Sequence, residues 1–278
     1  MGEFERDGLR LSYEEMGDRG APPVVLLHEM GGESRDWYPV TRRLERSYHL
    51  VAPDLRGHGL SAVPEARDAY SMAAFTADLE ALLDHLEVDL AALTGVGFGG
   101  AVALQLGVDR PERVAALCLL DTAPAFESDH FGPDMTDARA ELRKMEEAVR
   151  RQGTRVLGSE RARALRDRRL AAAVVARSVR TDPDGWLGTA HAIRTRSDVI
   201  PRLREQLTMP VLICGGESAP SRSAFEVLRD EIDDVRALTF RETDRVMSAS
   251  GMDRFIRALK DFLRDVEEGR RIAADREV

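Results

Sequence analysis

The chain has 278 residues, enough for one large α/β domain with room for an inserted subdomain. Hydrophobic residues make up 43% and charged residues 32%, which supports both a full core and a well-solvated surface. A formal charge of −9 suits no phosphate backbone and excludes nucleic acid as a partner, and no apolar run approaches the length of a membrane span.

The N-terminus, MGEFERDG, is polar and acidic, so no signal peptide is expected; Arg6 stands where a myristoylation site needs Ser or Thr. Gly8 to Gly17 alternates and predicts an edge strand. Pro23 to Leu27 is a short β-branched run, predicting a buried parallel strand. Glu33 to Arg46 is polar and helix-compatible. Leu50 to Pro53 predicts a second buried strand, followed by a Gly-rich turn. Ser71 to Leu86 has helical periodicity in Met72, Phe75, Leu79, Leu82 and Leu86, with Ser71 as N-cap. Leu90 to Thr94 predicts a strand that runs into Gly95-Val96-Gly97-Phe98-Gly99-Gly100, and Ala101 to Val108 a small-residue helix. Val114 to Leu120 predicts the next strand.

After Pro124 the texture changes. Phe126 to about Pro201 is Arg-rich and helical, without strong strand signals. Pro210 to Cys214 and Val235 to Phe240 predict the last strands, and Phe255 to Val266 an amphipathic closing helix; the charged tail from Glu267 to Val278 reads as frayed. Cys118 and Cys214 lie inside apolar runs and read as buried small hydrophobes, not as a disulfide of a cytoplasmic chain. The basic residues are nearly all Arg, with Lys144 and Lys260 the exceptions, and Ala is abundant; both point to a high-GC bacterial genome. Strand–helix alternation of this kind predicts a doubly wound, mostly parallel α/β sheet. Residues 1–123 and 202–278 form its core and 124–201 a helical cap. Ligands are then expected beyond the carboxyl ends of the strands.

Four stretches in order carry a family resemblance: Leu26-Leu27-His28-Glu29-Met30-Gly31-Gly32, Pro53-Asp54-Leu55-Arg56-Gly57-His58-Gly59-Leu60-Ser61, the Gly95 to Gly100 run, and Pro210-Val211-Leu212-Ile213-Cys214-Gly215-Gly216. From about Pro22 to Leu263 the chain resembles the α/β-hydrolase fold, and the second stretch looks most like that of ring-fission C–C hydrolases, enol-lactonases and cofactor-free haloperoxidases. The resemblance implies a nucleophile elbow, G-x-S-x-G, with Gly97 in place of the Ser. It implies an acid at Ala219, beside Ser218, and a His near Arg245, in Asp244-Arg245-Val246. The histidines are His28, His49, His58, His85, His130 and His191, none of them after the last strand. A triad in the order Ser, acid, His cannot then be assembled.

An elbow without its nucleophile is still a helix N-terminus. The amides of Phe98 and Met30 are expected to form an oxyanion hole, or to persist only because the turn needs its geometry. Glu29, in place of the Gly that normally follows His28, is a general base or acid at the cleft, or an Arg-paired surface group. Arg245 binds an anion, or makes a structural ion pair. Asp121, at the end of the Val114 to Leu120 strand, contacts a loop or a ligand. Trp186 and His191, from the cap, join His28, Gly97 and Val246 as candidate substrate contacts. No Cys/His/Asp cluster has metal-ligand spacing, and no dinucleotide motif opens the first strand, so neither metal nor cofactor is expected. The partner is a small molecule, anionic or aromatic; a homodimer is left open.

Two functions follow. One is a non-hydrolytic enzyme working through an enolate or phenolate, by C–C bond formation or addition, cyclisation, isomerisation or elimination, in a bacterial biosynthetic pathway. The other is a catalytically dead binder or regulator. Ordinary esterase or lactonase action comes third.

Overall fold

The computed structural model describes residues 1–163, 168–216, 222–240, 249–272 and 276–277. β1 (Gly2–Arg6) and β2 (Leu9–Met16) form an antiparallel hairpin. Its turn residues, Asp7 and Gly8, both have positive φ, 52° and 77°. That is the backbone a tight two-residue hairpin demands, and an Asp-Gly pair is its usual carrier. The strand read at Gly8 to Gly17 is therefore not the edge; β1 lies outside it.

β3 (Pro23–Leu27) and β4 (His49–Pro53) follow, separated by a short 3-10 turn and α1 (Tyr38–Leu44). Next come α2 (Met72–His85), β5 (Ala91–Val96), α3 (Phe98–Asp109) and β6 (Val114–Leu120). Ser71 caps α2 by accepting a hydrogen bond from the Ala74 amide. Between β6 and β7 (Val211–Gly216) the chain runs through α4 (Pro133–Gln152), α5 (Arg155–Arg163), α6 (Arg168–Arg180), α7 (Pro183–Thr195) and α8 (Ile200–Gln206). α9 (Arg222–Glu231), β8 (Val235–Phe240), α10 (Ala249–Glu267) and β9 (Arg276–Glu277) complete the described elements.

The strands lie in the order β1-β2-β4-β3-β5-β6-β7-β8-β9. β2 pairs antiparallel with β4, and every pair from β4 to β9 is parallel. β4 is buried along its whole length, as a strand covered on both faces must be. One face packs Phe75, Leu79, Val102, Leu106, Leu203 and Leu228, from α2, α3, α8 and α9. The other packs Val40 and Leu44 of α1 and Phe255, Leu259 and Phe262 of α10. α8 thus belongs with the sheet, whereas α6 and α7 lie over the loops that follow β3 and β4. A Cβ built on Gly31 would stand 3.3 Å from Trp186 Cδ1, and one built on Gly57 2.7 Å from Gly185 Cα.

A buried ion pair holds the turn after β4 to α2: Arg56 Nε and Nη2 donate to Asp78 Oδ2 and Oδ1 at 2.7 and 2.6 Å. Cys118 and Cys214 are free thiols buried on adjacent strands. No helix among the described residues is long and apolar enough to cross a membrane.

The tail departs from the frayed end expected of it. Ile272 is fully buried against the α10 side of the sheet, its amide donates to Asp234 Oδ1 at 3.0 Å, and Arg276 and Glu277 add to the edge of β8. Charge along the tail concealed Ile272, an apolar residue that docks. Ile272→Ala should therefore cost about 2–5 kcal/mol, a core-residue loss, in urea denaturation followed by far-UV circular dichroism. A truly frayed tail would leave the midpoint unchanged.

Candidate functional site

The site begins where β5 turns into α3. Gly97 has φ 55° and ψ −112°, a region in which a side chain costs of order 1–3 kcal/mol. Its amide donates to Leu120 O at 2.9 Å, and its carbonyl accepts from Ala101 at 3.1 Å. A Cβ at Gly99 would lie 2.3 Å from Leu27 O, so the first turn of α3 is pressed against the end of β3. Helix geometry leaves the first amides of α3 without partners inside the helix. Among the described residues, neither the Phe98 nor the Met30 amide has an acceptor.

Glu29 stands directly over this turn. A Cβ built on Gly97 would lie 3.5 Å from Glu29 Cβ and 3.9 Å from Oε2. The carboxylate therefore occupies the neighbourhood in which a side chain at position 97 would project. Its other oxygen, Oε1, accepts from Arg177 Nη2 at 3.1 Å, and Arg177 Nη1 donates to Asp36 Oδ2 at 2.8 Å. Arg177 comes from α6. Burial works against its charge, but the carboxylates of Asp36 and Glu29 outweigh that and raise its pKa. Nothing in the sequence singled out Arg177 in an Arg-rich segment; only the fold brings it to Glu29.

His28 is not a ligand contact. It is fully buried, its Nε2 accepts from the Leu55 amide at 3.0 Å, and its Nδ1 donates to Glu29 O at 2.8 Å. His58 repeats the arrangement, accepting from the Gly31 amide at 3.0 Å and donating to Arg56 O at 3.1 Å. Both rings pin the loop after β3 to the turn after β4. Phe98 offers only its backbone, since its ring is buried edge-on against Phe75 at 4.7 Å. Trp186 is likewise packing: it is buried among Phe126, Leu142, Val149 and Ala190, over Gly31. His191 is half-buried on α7, and the described contacts do not bring it to Gly97. Asp121, the residue after β6, has φ 44°, donates its amide to Cys214 O, and lines a small cavity with Thr122, Gly215 and Phe225. Arg245, Val246 and Ala219 lie outside the described residues. Among the described residues, no cluster of three His, Cys, Asp or Glu side chains could hold a metal ion.

A family profile for the α/β hydrolase fold matches residues 22–218, well over half of the chain and the part that carries the elbow. The chain belongs to the α/β-hydrolase fold family. Among its relatives, it is 36% identical over 130 residues to epoxide hydrolase A of Mycobacterium tuberculosis, covering 46% of this chain and 40% of that one. It is 40% identical over 113 residues to a putative carbamate hydrolase, RutD, of Klebsiella pneumoniae, covering 41% and 42%. The matched part is thus less than half the length of either relative. The fold likeness is wider. An enol-lactonase structure from Burkholderia xenovorans superposes with a TM-score of 0.81 at 23% identity, over 95% of this chain and 100% of that one. Epoxide hydrolase A of Mycobacterium thermoresistibile gives 0.73 at 25% identity, over 95% and 97%.

In this α/β-hydrolase-fold chain the two buried imidazoles have a measurable consequence. Burial above all, with His28 packed beside it, pushes the His58 pKa down to about 3 from 6.5. The folded state then binds fewer protons than the unfolded state between those values. Stability from His58 is complete above pH 6.5 and is lost as pH falls towards 3, at up to about 1.4 kcal/mol per unit. Denaturation of His58→Gln and wild type across that range should show a shallower slope for the variant; parallel slopes would contradict it.

Proposed function

We propose that the chain is a non-hydrolytic enzyme that transfers a proton at a carbon beside a carbonyl of a small molecule. The supporting observation is the Glu29 carboxylate, 3.9 Å from the point where a Cβ at Gly97 would stand. In this reading the Ser, acid and His of the family are all lost, and no acyl-enzyme forms. The substrate carbonyl oxygen accepts from the Phe98 and Met30 amides. Glu29 takes the adjacent C–H proton, leaving an enolate whose charge those donors and the α3 N-terminus stabilise. Return of the proton to a different carbon completes isomerisation, departure of a leaving group from the β-carbon with the enolate's electron pair completes elimination, and attack of the enolate on an electrophilic carbon completes C–C bond formation.

The charges around Glu29 support a narrower choice of ligand in this reading. Glu29 and Asp36 together outweigh Arg177, so a substrate that is neutral on entry and becomes negative only during reaction fits better than a permanent anion. An aromatic ketone or a β-dicarbonyl compound belongs to this class, and a biosynthetic role in a high-GC bacterium agrees with it. One observation favours the binder reading: Oε1 of Glu29 is committed to Arg177, as a purely structural cap contact would require.

The two readings separate in heavy water. The protein should exchange α-hydrogens of a panel of aryl ketones and β-dicarbonyls faster than buffer, followed by proton NMR. Glu29→Gln should keep ligand affinity and lose about 10²–10⁴ of that rate, as expected for removal of a general base. Binding without exchange in either protein would support the binder and end the enzymatic reading.

A further inference from the structure

The last turn of α6 meets the loop after β3 through one face. Arg177, Arg180 and Thr181 are spaced i, i+3 and i+4, so they project together. Arg177 donates to Glu29 Oε1 at 3.1 Å and to Asp36 Oδ2 at 2.8 Å. Arg180 Nη2 donates to Glu33 Oε1 at 2.6 Å, and Thr181 Oγ1 to Gly31 O at 3.2 Å. The loop is organised to present these acceptors: the Glu33 amide donates to the same Asp36 Oδ2 at 3.2 Å. Two arginines at a helix C-terminus also complement its dipole. Three carboxylates in one short loop repel one another, and the end of α6 supplies the countercharge.

The two arginines are not equivalent. Arg177 is 15% exposed and bridges two carboxylates, whereas Arg180 is 57% exposed and meets one. Solvent screens the second pair far more than the first. Loss of the Arg177 charge would remove the cation that joins the partly buried Glu29 and Asp36 carboxylates.

We infer that Arg177 is a positioning residue: its bridge makes docking of α6 on the loop and alignment of Glu29 over Gly97 a single event. The cap thereby controls the site through an ion pair, without touching the reacting atoms. The bridge itself does not depend on the proton-transfer reading; only its effect on turnover rests there.

The test is amide hydrogen exchange by mass spectrometry on the full chain, comparing wild type with Arg177→Met, Arg177→Lys, Arg180→Met and the double variant Glu29→Gln/Arg177→Met. Arg177→Met should speed exchange at residues 29–36 and 174–181 by about tenfold or more while α3 and β6 stay as protected as before, the mark of local opening. Lysine should restore part of the protection, since a point charge meets one carboxylate but not two. The double variant should exchange more slowly than Arg177→Met, because one of the like charges is gone. Unchanged exchange in the loop, equal loosening by Arg180→Met, or a uniform increase across the sheet would each overturn the inference. Should Arg177→Met fail to fold, Arg177→Lys carries the test, and exchange identical to wild type would overturn it. Where carbon-acid exchange is observed, it should fall in Arg177→Met and return in part with Lys. Absence of carbon-acid exchange in every protein would count against the proton-transfer reading alone, since amide exchange judges the bridge separately.

Discussion

The whole site depends on one backbone position. For β5 to end and α3 to begin without a longer loop, Gly97 must adopt φ 55° and ψ −112°, while α3 starts so close to β3 that a Cβ at Gly99 would strike Leu27 O. A serine at such an elbow is held under strain that the rest of the fold must offset. Glycine removes the strain and the hydroxyl together, and leaves the helix N-terminus aimed as before. The turn thus keeps its geometry without a side chain at position 97.

What stands over that turn gives it a new character. Glu29 brings a carboxylate beside Gly97, and Arg177 reaches down from α6 to hold one of its oxygens. His28 and His58 fix the loop that carries Glu29 by spending both ring nitrogens on backbone groups. A protonated ring could not accept from the Leu55 or Gly31 amide, so these histidines are neutral scaffolding. Neither ring is then free for proton transfer at the cleft.

Much of the fold was legible because buried parallel strands announce themselves as short, mostly apolar runs: β3, β6 and β8 begin and end where the sequence puts them. β1 went unread because only its turn, Asp7-Gly8, is strongly marked. Ile272 was hidden in a charged tail, since a single apolar residue has no periodicity to reveal it. The elbow and the placement of Glu29 beside it followed from local motifs. Arg177 could not, because its role arises from a tertiary contact between segments almost 150 residues apart in sequence. His28 and Trp186 were misjudged for a related reason. A sequence shows that a ring is present, but not whether backbone amides or apolar neighbours have already claimed it.

The central claim is that the cleft works without a covalent intermediate. The most direct measurement is intact-protein mass spectrometry after incubation with a fluorophosphonate and, separately, with an activated aryl acetate. The account requires no stoichiometric adduct on any residue of the cleft, with wild type and Glu29→Gln alike. One phosphonate or one acetyl group per chain, mapped to a residue lining the cleft beside Gly97, would contradict it.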